Sequence, residues 1–469
     1  HTRLLIVTGV QTCALPICTQ LIDKNLNTST GVRFTTQVTP RNKVTVYYDS
    51  VPRIEYYNNV APERRPEATG VAKPKLSYVA QLKWTSPISN TLLAEAGWSG
   101  NFRGYRGTFQ PETRDASQYP PYGDIAKFEV LTNTSYNNIT NEWYNPFWKH
   151  QSMASLSYVT GAHALKGGVQ YGKGWSFSEG TSNGDILQRY RGGVPFSVDA
   201  LATPLYWRSE IDMDMGVFLQ DTWTIKRLTM NPGVRVDKFV GSVPAQSMPA
   251  GRFLPARSFA PIENLPNWTD VSLRFGAAYD LFGNGRTALK YSIGRYVAKT
   301  NVDVAVLLNP NTTAVNAASR AWADANQNYY PDCNLGNFTA NGECGAISDQ
   351  NFGRQNPRAL QWADEVREGN RDNNWDMSAE IQHEITRSIS MNGGYYFNNG
   401  GYFRNTDSMQ RATDNERVSP SDFDQFCVTA PNDPRLPNGG GYQICGLSAI
   451  KPSAFGLSQP VVKALSNFG

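Results

Sequence analysis

Apolar and polar side chains alternate with a period of two on both sides of one tight polar turn, and this pattern constrains the fold more than any other feature of the chain. In the first arm Met213, Met215, Val217, Leu219 and Trp223 fall on one face, and Asp212, Asp214, Gly216, Gln220 and Thr222 on the other; Phe218 and Asp221 break the rule. In the second arm Leu228, Met230, Val234 and Val236 oppose Thr229, Asn231, Gly233, Arg235 and Asp237. Successive side chains of a strand point to opposite faces, so the segment reads as a β-hairpin with one apolar and one polar face. A soluble sandwich alternates too, but each arm here runs about ten residues, the length a tilted strand needs to cross a bilayer, against roughly five or six in ordinary sheets. The expected fold is therefore all-β, an antiparallel transmembrane β-barrel.

Composition fits that expectation. Hydrophobic residues make up 40% of the 469 residues, and no uninterrupted apolar run approaches the ~18 residues of a membrane helix, so any crossing is by strands. Aromatic residues reach 12% and bunch near a predicted strand start at Trp143, Tyr144, Phe147 and Trp148, which suits an interfacial girdle, with ordinary strand composition as the alternative. The net charge of +4 comes with no polybasic run, so nothing points to nucleic acid.

Further alternating pairs are Gly31 to Thr39 with Lys43 to Asp49, Lys75 to Thr85 with Thr91 to Gly97, and Gln151 to Val159 with Leu165 to Gly172. With the hairpin above, Val271 to Tyr296 and Asn374 to Tyr396, about twelve strands are expected. Gly283, Asn284 and Gly285 are expected to supply positive φ to one turn. Between pairs lie the polar stretches Asn101 to Glu142, Ser176 to Glu210, Val240 to Asp270, Thr300 to Arg371 and Gly401 to Gly446. Brief turns on one side and long loops on the other are what outer-membrane barrels show.

The motifs F-x-Q-D-x-W and L-T-x-N-x-G-x-R-x-D (Phe218 to Asp237) resemble the barrel of TonB-dependent outer-membrane receptors. The strand W-D-M-S-A-E-I-Q-H-E (Trp375 to Glu384) and the loop F-C-V-T-A-P-N-D-P-R-L-P (Phe426 to Pro437) are similar to the Oar-like branch, which pairs a carboxypeptidase-regulatory-like domain with such a receptor. The resemblance covers roughly Thr19 to Gly469. It implies a 22-stranded plugged barrel in the bacterial outer membrane, surrounded by outer-membrane lipid, taking up an extracellular ligand and driven by the TonB energy-coupling complex through its plug. Residues 1–18 are read as non-native, because Val7 to Ile17, VTGVQTCALPI, resembles a translated sequencing adapter. Residues 19–469 are then a partial barrel, with signal peptide, regulatory domain and plug expected upstream and a further cut expected at the 3′ side.

Catalytic signals are poor. His383 with Glu384 lacks the second histidine of a zinc H-E-x-x-H, and no nucleophile elbow, Walker loop or paired Rossmann glycines occur. No enzyme activity is expected. Asp324, Asn326, Asn328 and Asp332 space oxygen ligands as a calcium loop does, with a self-bonded Asx-rich turn as the alternative. Cys333, Cys344, Cys427 and Cys445 lie outside the predicted strands at spacings unlike thiolate metal sites, which suits disulfides in an oxidising compartment. Proximity in sequence favours Cys333 with Cys344 and Cys427 with Cys445. Loop aromatics suited to ligand capture are Tyr329, Tyr330, Trp362, Tyr402, Phe403 and Tyr442, although such rings also pack loops together. A non-transporting adhesion or structural barrel fits the same strands, and a secreted carbohydrate-active enzyme would need convergent carboxylates on a groove.

Overall fold

The computed structural model describes residues 4–12, 19–113, 123–369, 371–401, 403–407, 420–452 and 461–465. Its main element is a fifteen-stranded sheet. All twelve strands expected from alternation lie in it, in six hairpins: Thr30–Thr39 with Asn42–Ser50, Gly70–Pro87 with Leu92–Thr108, Glu142–Thr160 with His163–Thr181, Leu205–Ile225 with Leu228–Ser242, Asn267–Asp280 with Thr287–Val297, and Asn373–Thr386 with Ile389–Gly401. Leu4–Thr12, Thr19–Asn27 and Arg53–Asn58 complete the sheet. The first of these falls in the segment read as non-native. Every ladder in the sheet is antiparallel. Among the described residues Leu4–Thr12, Thr30–Thr39 and Ile389–Gly401 each pair on one side only, and no two of them pair with each other.

Register converts alternation into continuous surfaces. Val169, Val217, Val236 and Val271 stand in one cross-strand row, and Leu219, Val234 and Leu273 in the next. These side chains are exposed; Leu219 is 55% accessible and Leu273 54%. An apolar face this extensive is stable against lipid and costly against water. The opposite face carries ion pairs: Glu95 takes Lys83 at 3.0 Å and Lys166 at 3.5 Å, Lys149 meets Asp214 at 2.8 Å, and Arg235 meets Asp237 at 2.7 Å. Half-exposed pairs of this kind are worth roughly 0.2–1 kcal/mol each, so they make the face hydrophilic more than they stabilise it.

The structure corrects several expectations. Strands run well past the ten residues read from alternation, Leu205–Ile225 spanning 21, because their upper halves lose the apolar face once they rise beyond the lipid band. In the turn after Asp280, Gly283 (φ 73°) and Gly285 (φ 72°) are left-handed but Asn284 is not. Its side chain instead accepts the Arg286 amide at 3.0 Å, and both oxygens of Asp280 hold the glycine amides at 2.9 Å.

The long loops are also more ordered than polarity suggested. Three of them contribute to one six-stranded sheet, ordered Cys344–Ile347, Ala317–Trp322, Val194–Leu201, Ile186–Arg191, Ala126–Glu129 and Thr134–Tyr136. Its core holds Ile125, Ile186, Tyr190, Val198, Trp322 and Leu335. Burial pushes the Tyr136 hydroxyl up to about 12 and that of Tyr190 higher still, so both stay neutral. Arg320, 1% exposed, donates to the carbonyls of Gly345, Asn334, Leu335 and Thr339, which offsets the cost of burying a guanidinium and fixes the covering loop.

Candidate functional site

The hairpin Asn267–Asp280 with Thr287–Val297 is zipped only in part. Pairing runs from Asp280 with Ala288 up to Arg274 with Gly294, and stops. Above that point the two strands part and side chains fill the gap. Arg295 donates from Nη1 to the Val271 carbonyl (3.0 Å) and from Nη2 to Asp270 Oδ1 (3.1 Å). Arg371 approaches Asp270 Oδ2 at 3.6 Å and lies over the rings of Trp268 and Phe239 at 5.4 and 5.6 Å. One buried carboxylate thus serves two guanidiniums.

The long connection between Val297 and Asn373 returns to this gap. Val366 packs with Ile211, Phe239, Trp268, Val304 and Trp362, and its carbonyl accepts the Trp268 indole N–H at 2.6 Å. Full burial of aromatic rings of this size contributes about 1.5–3 kcal/mol each, which anchors the loop to the wall.

Beneath the anchor, against the polar face, lies a cavity of about 750 Å³. Lys149, Asp214, Arg235, Asp237, Arg274 and Arg371 line it, with Trp148 and Trp175 at one end and residues 299–303 alongside. Gly216 leaves room for this arrangement, since a Cβ on it would stand 2.0 Å from Arg235 Nη2 and push the guanidinium aside. That close approach lets Arg235 lie flat across its strand, bonded to Asp237 and at 3.5 Å from Gln170 Oε1. The sequence showed the alternation that puts these residues on one face. It did not show the common height at which neighbouring strands present them, which depends on register.

The loop aromatics do not form one site. Tyr329 is 55% exposed and stacks at 6.4 Å on Tyr190, and Tyr330 follows it on the same loop. Trp362 is buried in the anchor, and Tyr442 lies just ahead of the Gln443–Ile450 arm of a separate hairpin. Phe403 opens the strand Phe403–Asp407, and Tyr402 lies outside the described residues.

Asp324, Asn326, Asn328 and Asp332 do come together. Asp324 accepts the amides of Asn328 (3.1 Å) and Tyr329 (3.0 Å), and Asp332 Oδ2 accepts the side-chain amides of Asn326 (2.7 Å) and Asn328 (2.8 Å). Tyr329 takes the left-handed backbone (φ 59°) that calcium loops assign to a glycine at the same place. A calcium ion would need both amides turned to present oxygen. Among the described residues no group of three or more His, Cys, Asp or Glu side chains is placed to hold a metal. Disulfides join Cys333 to Cys344 and Cys427 to Cys445. Contrary to the reading that all four cysteines lie outside strands, Cys344, Cys427 and Cys445 lie within short ones, whose few residues gave no detectable alternation.

A sheet apolar on one face, charged on the other, with long connections on one edge, defines a membrane β-barrel wall. Residues 20–438 match the family model of the outer membrane β-barrel domain, and the chain belongs to that family. It is an outer-membrane protein. The outer membrane transporter YddB from Escherichia coli superposes with a TM-score of 0.54 at 12% identity, over 88% of this chain and 45% of that one. The ferric yersiniabactin uptake receptor FyuA from Yersinia pestis gives 0.44 at 8% identity, over 86% of this chain and 49% of that one. The ferripyoverdine receptor of the outer membrane of Pseudomonas aeruginosa gives 0.44 at 10%, over 85% and 44%. This chain therefore spans less than half the length of these solved proteins. No curated protein matches it.

Proposed function

We propose that the chain is the wall and extracellular loop region of a TonB-dependent receptor of the Oar-like branch, part of a 22-stranded plugged barrel that takes up an extracellular ligand. The observation that supports this most is the cavity on the charged face, overhung by an anchored loop. A purely structural barrel has no use for a polar pocket of ligand size, whereas binding sites of a few hundred Å³ with a few placed polar groups are what small ligands require. TonB would act through a plug contributed by the rest of the protein, and no catalytic chemistry is assigned.

The complete gene tests the reading. A plug sequence upstream of Thr19, framed by a signal peptide, is expected. A coding region that opens near Thr19 without a plug overturns active transport and leaves the adhesion or structural barrel.

A further inference from the structure

We infer that the wall cavity is a site for an oxyanion, a carboxylate- or phosphate-bearing solute, an inference that rests on the ligand-uptake reading above. Charge balance gives the first reason. Five basic and three acidic residues line the cavity. Lys149 with Asp214 and Arg235 with Asp237 neutralise each other at 2.8 and 2.7 Å, and of the other lining residues only Asp303 is acidic against Lys299, Arg274 and Arg371. The lining therefore keeps a surplus of two positive charges, with Arg274 and Arg371 outside both ion pairs. Arg274 lines the cavity and rests against the Tyr296 ring at 4.6 Å, a contact that supplies no negative charge. Asp270 accepts a hydrogen bond from Arg295 on one oxygen and faces Arg371 at 3.6 Å with the other, so a single negative charge is shared by two guanidiniums and one positive charge stays uncompensated.

Unmet hydrogen bonding gives the second reason. Arg371 is 9% exposed, and its carboxylate neighbour stands 3.6 Å from Nη1, beyond a good hydrogen bond. A guanidinium carries five N–H donors, and burying them unsatisfied costs free energy. Arg320, by contrast, is saturated with carbonyls. Arg371 instead lies over the Trp268 and Phe239 rings at the cavity wall and shares its carboxylate partner with Arg295. Two such planar forks match the paired oxygens of a carboxylate or phosphate better than any neutral group.

The test uses the whole chain refolded in detergent micelles, titrated at constant ionic strength with citrate, inorganic phosphate and neutral maltotriose. Tryptophan fluorescence reports, since Trp148 and Trp175 line the cavity and Trp268 lies against Arg371, and calorimetry confirms. Citrate or phosphate is expected to bind and maltotriose not, and which of the two binds identifies the oxyanion. Arg371→Gln and Arg274→Gln should each weaken binding by on the order of tenfold, the loss of one charged hydrogen bond, and Arg371→Lys should recover part of it. Because Arg274 is not in the buried anchor, its variant carries the result if Arg371→Gln fails to fold. Absence of binding by both anions, or binding that ignores both substitutions, overturns the proposal. Maltotriose binding that ignores them also overturns it, yet leaves a ligand cavity in the wall and so spares the uptake reading, which the gene sequence decides separately.

Discussion

The indole N–H of Trp268 donates to the carbonyl of Val366, 2.6 Å away and 98 residues later in the chain. This single bond joins the membrane wall to the far end of its longest connection, where the ladder beside Trp268 has parted. Trp268→Ala should destabilise the protein by about 3–5 kcal/mol, the range for truncating a buried aromatic, and Trp268→Phe by less. Denaturant unfolding in micelles measures both, and equal losses would show that the bond contributes more than the packing.

Arg320→Met should keep volume and lose the four carbonyl contacts. The stranded carbonyls of Gly345, Asn334, Leu335 and Thr339 cost about 1–3 kcal/mol, concentrated in the loop that Cys333 and Cys344 close. Limited proteolysis should cut between residues 323 and 348 in the variant and leave the wall intact. Unchanged cleavage would mean that the disulfide alone holds the loop.

Acid should uncouple two loop tips. Burial alone would raise the Glu129 carboxyl, but the amides of Gly193, Leu131 and Gly192 outweigh it and hold it below its ordinary value of 4.5. A depressed acid contributes stability above that ordinary value and loses it as pH falls through the lowered one. Amide exchange at Gly192 and Gly193, corrected for intrinsic rates, should therefore quicken as pH falls through that lowered value. In Glu129→Gln that pH dependence should vanish.

Val217→Arg places a charge in the valine row and should cost about 2–4 kcal/mol if that row sits near mid-bilayer. Gln220→Arg, on the charged face, should be close to neutral. Similar costs for the two, measured by unfolding from lipid vesicles, would refute the assignment of faces.

Asp324→Ala should free the amides of Asn328 and Tyr329 and loosen the segment before Cys333, seen as faster proteolysis there. Calorimetry of the intact chain with calcium decides whether the same oxygens also take an ion. No heat of binding, or binding unchanged in Asp324→Ala, discards calcium.

Sequence alone determined the six hairpins, because a strand with lipid on one side and water on the other must alternate residue by residue, as Val217, Leu219, Val234 and Val236 do. It also brought Asp324, Asn326, Asn328 and Asp332 together, since neighbours in one short loop need no distant partner. Only tertiary structure decided the rest. The strands Ile186–Arg191, Val194–Leu201 and Ala317–Trp322 are short and partly polar, and while the first two pair locally, the third joins them from more than a hundred positions away, as Ser197 with Ala321. Arg371 and Arg274 become one cavity wall through cross-strand register and a parted ladder. Local alternation is written in each residue's neighbours, whereas the height at which strands meet is set by the packing of the whole sheet.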